Sequence, residues 1–177
     1  SVISNGIRAK KGNLKKTGTG TLTLSGNSSN TFKGTVTVSG GTLLLGKTTG
    51  VAVPGNVTVG DGVGTDTMRL LGNEQIGDLS IVTMNSGGVF ALGGFSETVG
   101  ALTGSGAIQL GGGSLTVGGI NTSTTYSGLL SGPGNLVKTG TGILTLSGTN
   151  NSAGYVDVTP STSAPHRKQM SWSPFLS

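Results

Sequence analysis

Apolar runs of only three to five residues recur from one end of this chain to the other, and glycine or asparagine clusters separate them. They include Leu22–Leu24, Val36–Val38, Leu43–Leu45, Val57–Val59, Met68–Leu71, Leu79–Val82, Val89–Leu92, Ile108–Leu110, Leu115–Val117 and Ile143–Leu146. Within many of them the alternation is clean: Thr21, Thr23 and Ser25 interleave with Leu22 and Leu24, and Thr35 and Thr37 with Val36 and Val38. A period of two is the signature of a strand with one buried face. The separators, such as Gly40-Gly41, Gly87-Gly88, Gly93-Gly94, Gly111-Gly112-Gly113 and Gly118-Gly119, supply positive-φ corners at no steric cost. Glycine and β-branched residues interrupt every stretch long enough for a helix.

Short strands, tight corners and no crossover helix point to strands wound into a coil, each coil stacked on the last so that backbone groups pair above and below. The expected fold is therefore all-β, a right-handed parallel β-helix. Ladders of inward Leu, Val and Ile compensate for an aromatic content of only 4%. At roughly 20–25 residues per coil, residues 1–158 give about seven coils and a rod on the order of 35 Å tall. An antiparallel sandwich is the alternative; it usually carries more aromatics and fewer paired glycines.

Composition excludes other classes. Gly, Thr and Ser fill 82 of 177 positions, but the glycines keep no period of three, so collagen is excluded. Leu, Val, Ile and Phe total 45, too many for a disordered chain of small net charge. The absence of Cys removes disulfides, thiolate catalysis and Cys-ligated metals. No apolar run approaches the length of a transmembrane helix. With no signal peptide at Ser1, the chain reads as a segment of something larger.

The net charge of +5 is uneven: residues 1–47 hold seven Lys or Arg and no acid. The densest run, Arg8, Lys10, Lys11, Lys15 and Lys16, lacks the interleaved aromatic or amide readout residues of a nucleic-acid surface and reads as a solvated edge. Gly41–Thr48 formally fits the phosphate-loop pattern GxxxxGK[ST]. However, Leu43-Leu44-Leu45 read as a core strand, and the following segment with Pro54 cannot open the helix that the mechanism needs. Asp61 and Asp66 bracket a turn whose spacing matches no calcium loop. Glu74, Asp78 and Glu97 recur at no evident coil spacing, so paired carboxylates for glycan cleavage are not expected. His166 has no Ser or Asp partner. These readings expect no catalytic residue, no metal and no cofactor.

The strongest internal signal is a repeat. Gly12-Asn-Leu-Lys-Lys-Thr-Gly-Thr-Gly-Thr-Leu-Thr-Leu-Ser-Gly26 returns as Gly134-Asn-Leu-Val-Lys-Thr-Gly-Thr-Gly-Ile-Leu-Thr-Leu-Ser-Gly148, with thirteen of fifteen positions identical at an offset of 122. Such self-similarity marks a stacked array. The pattern, followed in the first copy by Thr35-Val-Thr-Val-Ser-Gly-Gly-Thr-Leu43, closely resembles the autotransporter-associated β-strand repeat, also called the passenger-associated transport repeat. The copies span 12–46 and 126–158. The resemblance implies a β-helical stalk of a Gram-negative bacterial surface or secreted protein, in which the repeat aids passenger folding and export. The implied partners are the rest of the parent passenger and its translocator. It implies no active site. It carries over structural positions only: Leu14, Leu22 and Leu24 inward, with Gly18, Gly20 and Gly26 as corners, and Leu136, Leu144, Leu146, Gly140, Gly142 and Gly148 in the second copy. An adhesin-type module whose Thr/Ser-rich face contacts a host-surface or matrix polymer is the alternative function, and a polysaccharide lyase or hydrolase a third.

Ile143 and Val137 replace Thr21 and Lys15 in the second copy, which predicts a more apolar coil there and makes 126–158 the expected folding seed. Residues 159–177 break the pattern: from Pro160 onward they hold three of the five Pro, the one His, the one Trp and no Gly. They read as an atypical, flexible tail.

Overall fold

The computed structural model describes residues 12–152, 154 and 156–158. Arg8, Lys10, Lys11, His166 and the tail 159–177 lie outside the described residues.

The chain winds through seven coils, and all paired strands run parallel. The first coil contributes β1 (Leu14–Lys16) and β2 (Thr21–Gly26), the second β3 (Val36–Val38) and β4 (Thr42–Lys47), the third β5 (Val57–Val59) and β6 (Asp66–Leu70). The fourth adds a third strand: β7 (Ile81–Met84), β8 (Gly88–Ala91) and β9 (Glu97–Val99). The fifth holds β10 (Ala101–Gly104), β11 (Ala107–Gln109) and β12 (Ser114–Val117), and the sixth β13 (Thr124–Tyr126), β14 (Leu129–Gly132) and β15 (Asn135–Lys138). The seventh holds β16 (Leu144–Leu146), β17 (Asn150–Ser152) and β18 (Val156–Val158). Two seven-stranded sheets, β1-β3-β5-β7-β10-β13-β16 and β2-β4-β6-β8-β11-β14-β17, form two sides, and β9-β12-β15-β18 forms the third. No helix occurs among the described residues. The architecture is an all-β parallel solenoid.

The core is a set of ladders. On the first side Leu14, Val36, Val57, Val82 and Leu102 stack coil upon coil, and from Val36 upward each is at most 1% exposed. On the second side Leu43, Met68, Phe90 and Ile108 do the same at 0%. A parallel step advances about 4.8 Å per coil, so seven coils stand about 29 Å tall. Apolar area is buried between like residues in register, which spares the fold any need for large aromatics. Three of the sequence runs end differently from their reading: Ile143 precedes β16 and is 48% exposed. Leu79 lies outside β7 and is 71% exposed, and Leu71 follows β6 on the surface at 45%; each sits at a corner, where the inward–outward alternation has already stopped.

The third side is built by other means in the first three coils. There Asn30, Ala52 and Gln75 fall one above another beneath Glu97 of β9, and all four are buried. Asn30 Nδ2 donates to Ala52 O (2.8 Å), and the amides of Ala52 and Val53 donate to Gln75 O. Gln75 accepts from Lys47 N on Oε1 (2.7 Å) and donates from Nε2 to Lys47 O (3.1 Å). Glu97 accepts from Gln75 N (2.8 Å) and Ile76 N (3.1 Å). Side-chain amides and a carboxylate thus replace the missing strand ladder, and buried backbone groups stay paired.

Candidate functional site

The repeat copies are the first place to look for a function, and the structure shows what they encode. Lys16 is adjacent to exposed Lys15, yet it is only 7% exposed. Its Nζ donates to Thr17 O (2.9 Å), Gly18 O (2.7 Å) and Gly40 O (2.8 Å). Lys138, its sequence counterpart, is 4% exposed, and its Nζ donates to Thr139 O and Gly140 O. Between these carbonyls the chain reverses through Gly18 (φ 70°) and Gly140 (φ 68°), a left-handed conformation that glycine adopts without strain. The Lys-Thr-Gly-Thr-Gly motif is a corner clamped by a buried ammonium. This corrects the reading of the basic run as a solvated edge at Lys16: a lysine stem can lie along apolar surface while its head finds acceptors.

The repeat specifies this corner, whichever sides of the coil it joins. Leu144 stands six coils above Leu14, 130 residues later, through registers of 20 to 25 residues per coil. An offset of 122 falls eight residues short, on the preceding side. In the first copy Leu14 lies on the first side, and Leu22 and Leu24 on the second. In the second copy Leu136 lies on the third side, and Leu144 and Leu146 on the first. Leu24, Leu136 and Leu144 are buried; Leu14, Leu22 and Leu146 pack against the core partly exposed. Gly26 follows at φ 111°, while Gly20, Gly142 and Gly148 have no left-handed φ. Val137 is half-buried, Ile143 is 48% exposed, and their counterparts Lys15 and Thr21 are also exposed. The substitutions that made the second copy look more apolar therefore face outward and do not enlarge its core.

The other motifs resolve into local structure. Thr42–Lys47 of the phosphate-loop pattern is β4, paired on both edges with β2 and β6. Asp61 and Asp66 close a turn on themselves: Asp66 Oδ2 accepts from Asp61 N (3.1 Å), and Asp61 Oδ1 from Val63 N (2.9 Å). Glu74, at φ 48°, accepts from Thr98 N (3.1 Å) and Thr98 Oγ1 (3.2 Å) one coil above. An open groove of about 650 Å³ runs beside the second side, lined by Thr23, Lys47, Leu71 and Glu74 among others. Its one carboxylate is the Glu74 already held by Thr98. Among the described residues no three His, Asp or Glu side chains gather as metal ligands would, and no helix is long and apolar enough to cross a membrane.

The sequence reading allowed for a Thr/Ser-rich face but could not place it, because the face exists only in register. Thr37, Thr58, Thr83, Thr103, Thr125 and Thr145 stack as an unbroken outward rank on the first side. Each is half-buried or exposed, and Thr103 Oγ1 donates to Thr125 O (3.2 Å). The signal in the sequence was a Thr within each first-side strand from β3 onward, at irregular intervals of 20 to 25 residues that only the coil lengths explain.

Residues 14–45 and 136–159 match the family model described as Passenger-associated-transport-repeat. Among the described residues these segments run from β1 into β4 and from β15 through β18. No curated protein and no solved structure matches the chain.

Proposed function

We propose that this chain, a β-solenoid carrying two passenger-associated transport repeats, is a non-enzymatic stalk segment of an autotransporter-like surface or secreted protein, and that the stack assists its own export by folding coil upon coil. Solenoid and repeat together fit an autotransporter passenger module. The observation that carries the export role is the continuity of the stack. Every coil rests only on its neighbours, so order can spread from one formed coil to the next. Passengers of this kind are thought to emerge C-terminus first. The coils of 126–158 would then form first outside the cell, template those that follow and oppose back-sliding. The parent passenger and its translocator are the partners this reading requires.

The test places the chain in the passenger position of an autotransporter and measures surface display. Deleting 126–158 is expected to reduce display more than deleting an equal length, 1–33. Equal losses, or a larger loss from the N-terminal deletion, would defeat the directional role.

The Thr rank favours a second reading, in which an exposed face of the stalk also binds a host-surface or matrix polymer. Loss of cell or matrix binding when the rank is altered, with display intact, is the result it expects.

A further inference from the structure

We infer that the Thr rank of the first side is a binding track for an extended, uncharged polysaccharide chain lying along the solenoid axis. This deepens the second reading above, rests on it, and names the class of polymer.

Charge comes first. From coil two to coil seven the rank is Thr throughout. The positions two residues beyond it are Ser39, Gly60, Asn85, Ser105, Ser127 and Ser147, and none of them is charged. The positions two residues before it, Thr35, Asn56, Ile81, Ala101, Ser123 and Ile143, carry no charge either. Lys15 beneath Thr37 is the one cation in line with the rank. A polyanion would find no partner along the track. A neutral ligand matches it.

Size comes next. Five coil steps of about 4.8 Å and first-side strands of three or four residues make a strip on the order of 24 by 10 Å. That is roughly 240 Å², well below the ~800 Å² per partner that a stable protein interface buries. A narrow strip suits a narrow ligand. Its hydroxyls repeat at the coil spacing, and an extended pyranose chain advances by a similar distance per ring, so each ring can meet one Thr. The Thr hydroxyl both donates and accepts, as sugar hydroxyls do, and its methyl offers the apolar contact that a ring C–H face needs. The track is rigid before binding in coils two to four, because Thr37, Thr58 and Thr83 are flanked by inward neighbours, Val36 and Val38, Val57 and Val59, and Val82 and Met84, that are at most 1% exposed. A prealigned array loses little side-chain entropy on binding.

The experiment uses the full 177-residue chain and pull-down on insoluble amorphous cellulose and chitin, with alginate as the anionic control. Binding to at least one neutral polymer, unchanged by added salt, is expected. The variant Thr58→Val/Thr83→Val/Thr145→Val keeps shape and strand preference but removes three hydroxyls. Hydrogen bonds of about 1 kcal/mol each predict at least about a tenfold loss of affinity. The variant with Ser at the same three positions keeps the hydroxyls and is expected to bind within about threefold of the parent; circular dichroism confirms that both retain the β fold. Three outcomes overturn the inference: salt-sensitive binding to alginate alone, Val and Ser variants that bind alike, or inhibition of ice recrystallisation without any glycan binding. The last would assign the rank to an ordered water lattice. Cell or matrix adhesion that is lost in the Val variant, with no binding of the parent chain to either neutral polymer, would sink this track while leaving the second reading standing.

Discussion

At the scale of single residues, adjacent side chains of the same type do opposite things. Lys15 faces solvent, while Lys16 turns inward and satisfies three carbonyls. Lys16→Met keeps the stem and removes the donors, leaving those carbonyls short of a partner. A loss of about 1–3 kcal/mol is expected. Lys15→Met, outside the core, is expected to stay within about 0.5 kcal/mol. Urea melts of the two variants compare them directly, and equal shifts would mean the clamp contributes nothing. The neighbouring pair in β2 follows the same logic. Leu24 is 4% exposed and Thr23 is exposed, so Leu24→Ala is expected to cost about 2–5 kcal/mol through the cavity it leaves, and Thr23→Ala well under half of that. The inward position of Leu24 was legible, because strict alternation with Thr fixes the face. The inward position of Lys16 was not, because its justification lies in Gly40 O, 24 residues away.

At the scale of elements, the first two sides and the third differ in how they are held. Backbone ladders hold the first two along all seven coils. The third becomes regular only at β9, and below it Asn30, Gln75 and Glu97 substitute side chains for strand pairing. Period-two reading found most strands of the two regular sides. It missed β9, where Glu97 occupies an inward position and breaks the apolar pattern. It also saw no spacing among the acids, because Glu97 pairs with Gln75, an amide one coil away. Burial pushes the Glu97 carboxyl from the ordinary 4.5 up to about 8; the amides of Gln75 and Ile76 oppose that rise, and the nearby Glu74 charge adds to it. A raised folded-state pKa means that the native state holds its proton more tightly than the unfolded chain. The associated stability is complete below pH 4.5 and is lost as pH rises through 8. Denaturant midpoints are therefore expected to fall between pH 5 and pH 9, on the order of a few kcal/mol at about 1.4 kcal/mol per pKa unit. Glu97→Gln removes the titration and should flatten that profile. A wild-type midpoint that rises over the same range would contradict the assignment.

At the scale of the whole molecule, the seven coils form a one-dimensional stack in which, among the described residues, the end coils have one neighbour and the middle coils two. The burial follows that arithmetic. Val82, Met84, Phe90, Leu92, Ile108 and Leu110 of the fourth and fifth coils are all 0% exposed, whereas Leu22 in the first coil and Leu146 in the seventh are only partly buried. The fourth coil is also tied to the third from both directions, by Glu97 reaching down to Gln75 and Ile76 and by Glu74 accepting from Thr98 above. The sequence placed a more apolar coil and the expected folding seed in the second repeat copy, within 126–158. The outward positions of Val137 and Ile143 remove the reason for that. Greatest stability and earliest folding then separate: the C-terminal coils can be first to form during export, while the central coils become the hardest to open once neighbours cover both faces. Native-state hydrogen exchange distinguishes the two. The slowest amides are expected in β7 and β10, residues 81–84 and 101–104, with protection declining toward β1 and β16. Maximal protection in 136–146 instead would show that stability resides in the repeat copy itself rather than in its place in the stack.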